Sequence, residues 1–143
     1  GRAAHLTVVG QAVDPRVAEA ARASSLVSLE PPRPMADLLP VYRAADVFLL
    51  PSGRETFGLV YAEAISQGLP VLYTRGQGFD GQFPDGTVGF AIDLGDPEGI
   101  ADRIEAILRD YPRMSRAAVE GSRKFDWDEI ARAYRALYGE VAR

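Results

Sequence analysis

Short apolar runs alternate along this chain with longer amphipathic stretches, and glycine and proline mark most of the joints. Leu6 to Val9 is the first run. It ends at Gly10, after which Asp14-Pro15 supplies a cap and a first helical position for a segment reaching Ala23. Leu26 to Leu29 predicts a second strand, and the fixed backbone angles of Pro31, Pro32 and Pro34 predict a stiff loop behind it. Met35 to Ala44 predicts a short helix that restarts at Pro40. Val47 to Leu50 is uninterruptedly apolar, which predicts a strand buried on both faces and central in its sheet. A helix is expected from about Phe57, with Gly68 as its stop and Pro70 to Thr74 as the next strand. Arg75 to Gly89 holds five glycines and no apolar periodicity, so it reads as a loop, and Phe90 to Asp93 as a last short strand. Asp96-Pro97 caps a helix through Arg109 with Ile100, Ile104, Ile107 and Leu108 as its apolar stripe. Helices from Pro112 to Lys124 and from Trp127 to Val141 follow. In the second, Ile130, Tyr134, Leu137 and Tyr138 recur at helical spacing and predict a packed stripe beneath solvated arginines.

Strands and helices in this alternation predict an α/β fold, a Rossmann-like doubly wound parallel sheet flanked by helices. In such a sheet the ligand crevice lies outside the carboxyl ends of the strands. Pro51 to Phe57 falls at such an end. With 143 residues, 47% of them hydrophobic, the expectation is a single domain over residues 1–143.

Composition narrows the chemistry. A formal net charge of -4 with no basic stripe argues against nucleic acid as a partner. No apolar run approaches the roughly 20 residues that span a bilayer, and the first residues lack a signal-peptide pattern. Together with the absence of cysteine, this makes a cytoplasmic location the expectation. Without cysteine there are no disulfides, thiolate nucleophiles or cysteine-type zinc sites. The single histidine, His5, rules out a multi-histidine metal site and leaves a Ser-His-Asp triad only the very start of the chain to draw on. Fifteen arginines against one lysine, Lys124, with abundant alanine, suit a GC-rich bacterial genome.

The chemistry concentrates in Pro51-Ser52-Gly53-Arg54-Glu55-Thr56-Phe57-Gly58-Leu59-Val60-Tyr61-Ala62-Glu63-Ala64-Ile65-Ser66-Gln67-Gly68-Leu69-Pro70-Val71. Glu63 is the only charge between Phe57 and Ile65, and an ionised carboxylate packed against a sheet costs several kcal/mol unless something hydrogen-bonds it. An arginine such as Arg54 or Arg75 could do so, and so could ribose hydroxyls. The first turn of the helix near Phe57 leaves backbone N–H groups unpaired at the positive end of the helix dipole. Gly58 lets an anion approach them, so Phe57, Gly58 and Leu59 are candidates for backbone contacts to a phosphate or sugar. The side chains of Leu59, Val60 and Ile65 are expected in the core.

Two glutamates separated by seven residues, with Phe57-Gly58 between them and Gly68-Leu69-Pro70-Val71 behind, resemble the signature of the retaining GT-B glycosyltransferases. Glycogen synthases, sucrose synthases and bacterial mannosyltransferases typify this group. The resemblance runs from Leu6 almost to the end of the chain. It implies the C-terminal, donor-binding half of a GT-B enzyme, truncated at its N-terminal edge. It further implies a nucleoside diphosphate sugar of UDP, GDP or ADP type as donor substrate, and no other cofactor or metal. Glu63 would bind the ribose hydroxyls, and Glu55 would lie beside the donor sugar as the catalytic-site carboxylate that orients it. The base would pack near Val27 and Leu29, although Ser28-Leu29-Glu30-Pro31-Pro32 departs from the family pattern, which commonly has a glycine there. The arginine and lysine that grip the diphosphate in the family belong near or before the first strand and have no counterpart here. By the same resemblance an N-terminal acceptor-binding domain is missing from this chain, the fragment alone is expected to be inactive, and the longer protein is compatible with peripheral membrane contact. The alternatives are a noncatalytic GT-B-like interaction module and a nucleotide-sugar epimerase domain.

Two motifs imitate other chemistry. Gly76-Gln77-Gly78-Phe79-Asp80-Gly81 fits the dinucleotide fingerprint literally, but Gln82-Phe83-Pro84-Asp85-Gly86 breaks the helix that fingerprint needs. By the resemblance, Gly76 and Gly78 belong to a loop near the donor sugar. Asp126-Trp127-Asp128 looks like a metal-binding aspartate pair but is read as the start of the final helix, with Asp126 as its cap.

Overall fold

The computed structural model describes residues 4–11 and 14–141, which form two compact units, Gly1–Pro40 and Val41–Arg143. In the first unit β1 (Leu6–Val9) pairs in parallel with β2 (Val27–Glu30), Leu6 opposite Val27 and Val9 opposite Glu30. Between them α1 (Pro15–Ala23) starts as the Asp14-Pro15 pair predicts. Asp14 accepts the Arg16 N–H at 2.9 Å, and Pro15 occupies the position whose N–H has no helical acceptor. The helix α2 (Met35–Ala44) runs on into the second unit. It is continuous through Pro40, with no restart; the proline removes one N–H but does not end the helix.

The second unit carries a parallel sheet in the order β3 (Phe48–Leu50), β4 (Val71–Thr74), β5 (Gly89–Ile92). Here the reading of Val47 to Leu50 as the central strand is corrected. Within this sheet β4 is the middle strand and is buried throughout, whereas β3 is only half-buried. Two of these strands hand over to helices, β3 to α3 (Leu59–Ser66) and β5 to α4 (Pro97–Arg109) and α5 (Tyr111–Ser122), while a loop joins β4 to β5. A single 3-10 turn, Arg123–Phe125, leads to α6 (Trp127–Val141).

Helices and loops cover both faces of this sheet. On one, Leu72 and Ile92 pack with Ile107 of α4 and Met114 of α5, all four buried. On the other, Tyr61 of α3 stacks on Phe79 with ring centroids 4.7 Å apart and meets Phe48 and Tyr73 edge-on. Burial of each such side chain stabilises the fold by roughly 1.5–3 kcal/mol.

The outer side of β5 is closed by its own loop. Asp85 Oδ1 accepts the Ala91 N–H at 2.8 Å, and the Gly86 N–H donates to the Gly89 carbonyl at 2.8 Å. The same Asp85 oxygen accepts the Tyr73 hydroxyl at 3.3 Å.

The last helix departs from expectation. Asp126 caps it as predicted, accepting from the N–H groups of Asp128 and Glu129 at 2.8 and 3.2 Å. Its apolar stripe, however, is not packed: Tyr134, Leu137 and Tyr138 are exposed, Trp127 is 74% exposed, and no residue of α6 is buried. The spacing encodes an amphipathic helix, but of its stripe only Ile130 is half-buried among the described residues.

Candidate functional site at the carboxyl ends of the strands

Because β3 and β4 are parallel and paired with Leu50 opposite Tyr73, the loops leaving them emerge side by side. The first loop, residues 51–58, carries Glu55 and ends at Gly58, the residue that caps α3. Gly58 adopts a left-handed conformation with φ +76°, and a Cβ there would lie 2.6 Å from the Tyr61 ring and 3.3 Å from the Glu55 carboxyl carbon. Glycine is therefore required twice at this corner, by backbone angle and by space. The Glu55 carboxylate lies against the amino end of α3, where negative charge is favoured.

No side chain caps α3, and the N–H groups of Leu59 and Val60 precede its first bond, from Tyr61 N–H to the Gly58 carbonyl at 2.9 Å. The helix starts two residues later than the sequence predicts. This puts Phe57 and Gly58 in the entering loop and Leu59 at the first helical position. The Phe57 ring packs against Phe125 and Phe79, at 5.3 and 6.4 Å between centroids, so its side chain is structural and only its backbone is left for a ligand. The Leu59 side chain, expected in the core, is instead 62% exposed, because the first turn lifts it away from the sheet while Tyr61, Ala64 and Ile65 point inward.

Tyr61 joins helix to strand: its hydroxyl donates to the Leu50 carbonyl at the end of β3, 2.9 Å away. Burial, reinforced by the Glu55 charge, pushes its ionisation up to about 12.

Glu63, on the second turn of α3, is half-buried, and its Oε2 accepts the Tyr42 hydroxyl at 3.0 Å. Burial first, then this bond and the Glu63 charge, raises the ionisation of Tyr42 well above the ordinary phenol range. Neither arginine considered from the sequence takes this role. Arg75 instead pairs with Asp93 at 3.1 Å, and Arg54 pairs with no acidic group among the described residues. A carboxylate offers about four acceptor positions. Tyr42 occupies one of them.

The second loop is stitched to the first. Gln77 Oε1 accepts the Glu55 N–H at 2.9 Å, and the Gly78 N–H donates to the Glu55 carbonyl at 3.1 Å. A Cβ on Gly78 would collide with the Thr56 carbonyl oxygen and lie 2.6 Å from the Phe57 nitrogen, so the two backbones touch. Turns follow Gly81 where a dinucleotide fingerprint needs a helix, so the lookalike lacks its anion-binding element.

Val27 and Leu29 lie on β2 in the first unit, half-buried. Leu29 helps line a groove of about 310 Å³ with Val8, Gly10 and Asp14, and Val27 does not. A larger groove of about 520 Å³ beside α4 is lined by Arg75, Asp93, Asp96 and Arg103 and by none of the residues expected to contact the donor. Among the described residues, no cluster of three histidine or carboxylate side chains could hold a metal ion, and no helix is long and apolar enough to cross a membrane.

The sequence reading missed Tyr42 and Gln77. Their partners lie 21 and 22 residues away, beyond any local pattern. The available signal was a tyrosine on the buried face of a helix, whose hydroxyl needs a partner.

Residues 2–125 match the family model described as glycosyl transferases group 1. A D-inositol 3-phosphate glycosyltransferase from Corynebacterium diphtheriae is 41% identical over 114 residues, which is 78% of this chain and 27% of that protein. Across the curated relatives it matches most strongly, the chain spans between 26% and 30% of their length. Among solved structures, a sucrose-phosphate synthase from Thermosynechococcus elongatus superposes with a TM-score of 0.81 at 25% identity, over 96% of this chain and 38% of that one. An Anabaena protein, HepE, in complex with UDP-glucose, superposes with a TM-score of 0.77 at 21% identity, over 95% of this chain and 41% of that one.

Proposed function

Because this chain belongs to the group 1 glycosyl transferases and has the fold of one half of the GT-B architecture, we propose that it is the donor-binding domain of a retaining glycosyltransferase. The whole enzyme transfers a sugar from a nucleoside diphosphate to an acceptor hydroxyl. The observation that carries this reading is Glu55 beside the amino end of α3, which no side chain caps, with Glu63 on the second turn of the same helix.

Each role follows from the local chemistry. The N–H groups of the Phe57 to Leu59 corner take the diphosphate, whose charge the helix end favours. Glu63, oriented by Tyr42, accepts the two ribose hydroxyls. Glu55 accepts hydroxyls of the sugar ring and orients it. Val27 and Leu29 of the first unit contact the base, residues 1–143 act as one donor domain, and UDP is the donor nucleotide that the UDP-bound structural neighbours favour. In transfer with retention by front-face attack, the bond from the anomeric carbon to the diphosphate breaks, the acceptor oxygen bonds to the same face, and its proton leaves with the diphosphate. This needs no enzyme nucleophile and no metal, only electrostatic stabilisation of the leaving group. The acceptor binds to a further, N-terminal domain, the isolated domain binds donor weakly and turns over little, and the enzyme works in the bacterial cytoplasm.

Calorimetric titration of the complete protein with UDP, GDP and ADP, each with and without its hexose, tests the reading. Saturable binding of one base, weakened by about 1 to 3 kcal/mol in Glu63→Ala, supports it. A folded protein that binds none of the six ligands is a noncatalytic module. A product that keeps the sugar on its nucleotide, with altered stereochemistry, makes it an epimerase.

A further inference from the structure

Glu55 is on an irregular loop, yet its backbone is held at both ends of the residue by the loop that follows β4. Its N–H donates to Gln77 Oε1 at 2.9 Å, and its carbonyl accepts from Gly78 N–H at 3.1 Å. The clamp is itself held by a turn of its own loop. The Gln77 N–H donates to the Thr74 carbonyl at 3.2 Å and its carbonyl accepts the Asp80 N–H at 2.8 Å, while Asp80 Oδ2 accepts the Gly76 N–H at 2.7 Å. The Gln77 backbone is thus fixed by its own turn, and only its side chain crosses to the other loop.

We propose that Gln77 is a positioning residue: its side-chain carbonyl fixes the backbone of Glu55 and so aims the Glu55 carboxylate at the sugar end of the donor. This rests on the donor-domain reading above. The physical argument is one of preorganisation. A loop carboxylate must be ordered before it can accept hydroxyls, and each freed backbone torsion costs part of the affinity it would supply. The Gly78 bond alone leaves the Glu55 N–H without an acceptor. The residue's two ends are then unequally held, and the side chain leaves the backbone between them.

The test uses the complete enzyme with Gln77→Leu, which removes the acceptor, and Gln77→Glu, which keeps an oxygen at the same reach. Backbone hydrogen exchange at Glu55 reads the bond itself, and titration with plain nucleoside diphosphate and with its sugar-bearing form reads the consequence. In Gln77→Leu the Glu55 amide should exchange faster, plain diphosphate should bind as before, and the sugar-bearing donor should bind roughly three- to tenfold more weakly. In Gln77→Glu the amide should regain its protection. A Glu55 amide that stays protected in Gln77→Leu overturns the proposal, as do equal losses for the two ligands or a Gln77→Glu amide as exposed as that of the leucine variant. A wild-type enzyme that binds neither ligand overturns the donor-domain reading and this role with it, while the exchange data still report whether the bond exists.

Discussion

The Tyr42 hydroxyl and the Glu63 carboxylate, carried by different helices, share a hydrogen bond of 3.0 Å. Through this bond α2 holds the side chain assigned to ribose. Tyr42→Phe keeps the ring and its edge-on packing against Phe48 and removes only the donor. The expected loss is about 1 kcal/mol of stability by urea denaturation at pH 7, and nucleoside diphosphate affinity should fall as well. Unchanged values for both would show that the helix alone holds Glu63.

Alkali should unfold the protein through its buried phenols. Tyr61 ionises at about 12, and Tyr42 and Tyr73 are also raised, in each case chiefly by burial. A phenol that holds its proton more tightly when folded contributes stability fully below the unfolded value, near pH 10, and that contribution is lost as pH rises through the folded value. Stability should therefore be flat toward pH 10 and fall from there to pH 12 and beyond, with phenolate absorbance rising together with the loss of ellipticity. Phenolate absorbance complete by pH 11 in a folded protein would contradict this.

Two glycines of the same loop should respond differently to alanine. At Gly78 the added carbon meets the Thr56 carbonyl, and because neither backbone can give way the cost should be about 3 kcal/mol or more. At Gly76 nothing lies within 4 Å and only the φ of +73° opposes a side chain, which costs about 1 kcal/mol. Thermal denaturation of the pair measures the contrast; equal costs would mean that the loops are not in contact.

Glu55→Ala should spare plain nucleoside diphosphate and weaken the sugar-bearing donor alone, since its role is beside the sugar. Calorimetry with both ligands reads it directly. Equal losses would place Glu55 at the phosphates.

Core and surface aromatic or aliphatic positions should differ sharply between α4 and α6. Ile107 is fully buried among Leu72, Ile92 and Met114, so Ile107→Ala should cost about 2–5 kcal/mol. Tyr134, exposed on α6, should cost less than about 0.5 kcal/mol when replaced by alanine. A large loss at Tyr134 in denaturant titration would mean that its stripe is covered in solution.

What the sequence made legible was whatever acts over a few residues. Asp14-Pro15, Asp96-Pro97 and Asp126 announce three helix starts because a capping side chain bonds N–H groups two or three positions on. Glu63 stands out as the only charge between Phe57 and Ile65, and Glu55 only through its spacing from Glu63. What stayed hidden depends on distant pairing. Nothing near Glu63 points to Tyr42, and nothing near Glu55 points to Gln77. Leu59 shows the limit of pattern in a short helix: an apolar residue in the first turn need not face the sheet. Ile130 to Tyr138 show it in a long one, since spacing tells which side of a helix is apolar but not what lies against it.

The loop of Asp85 and Gly86 bonds two of the outer hydrogen-bonding groups of β5, the Ala91 N–H and the Gly89 carbonyl. An unpaired strand margin is a template on which foreign chains add and aggregates grow. Here one carboxylate and one amide of the same chain occupy part of that template. Gly89 and Ala91 are accordingly buried although β5 is the last strand of its sheet, and the protection of that margin hangs on a side chain outside the strand.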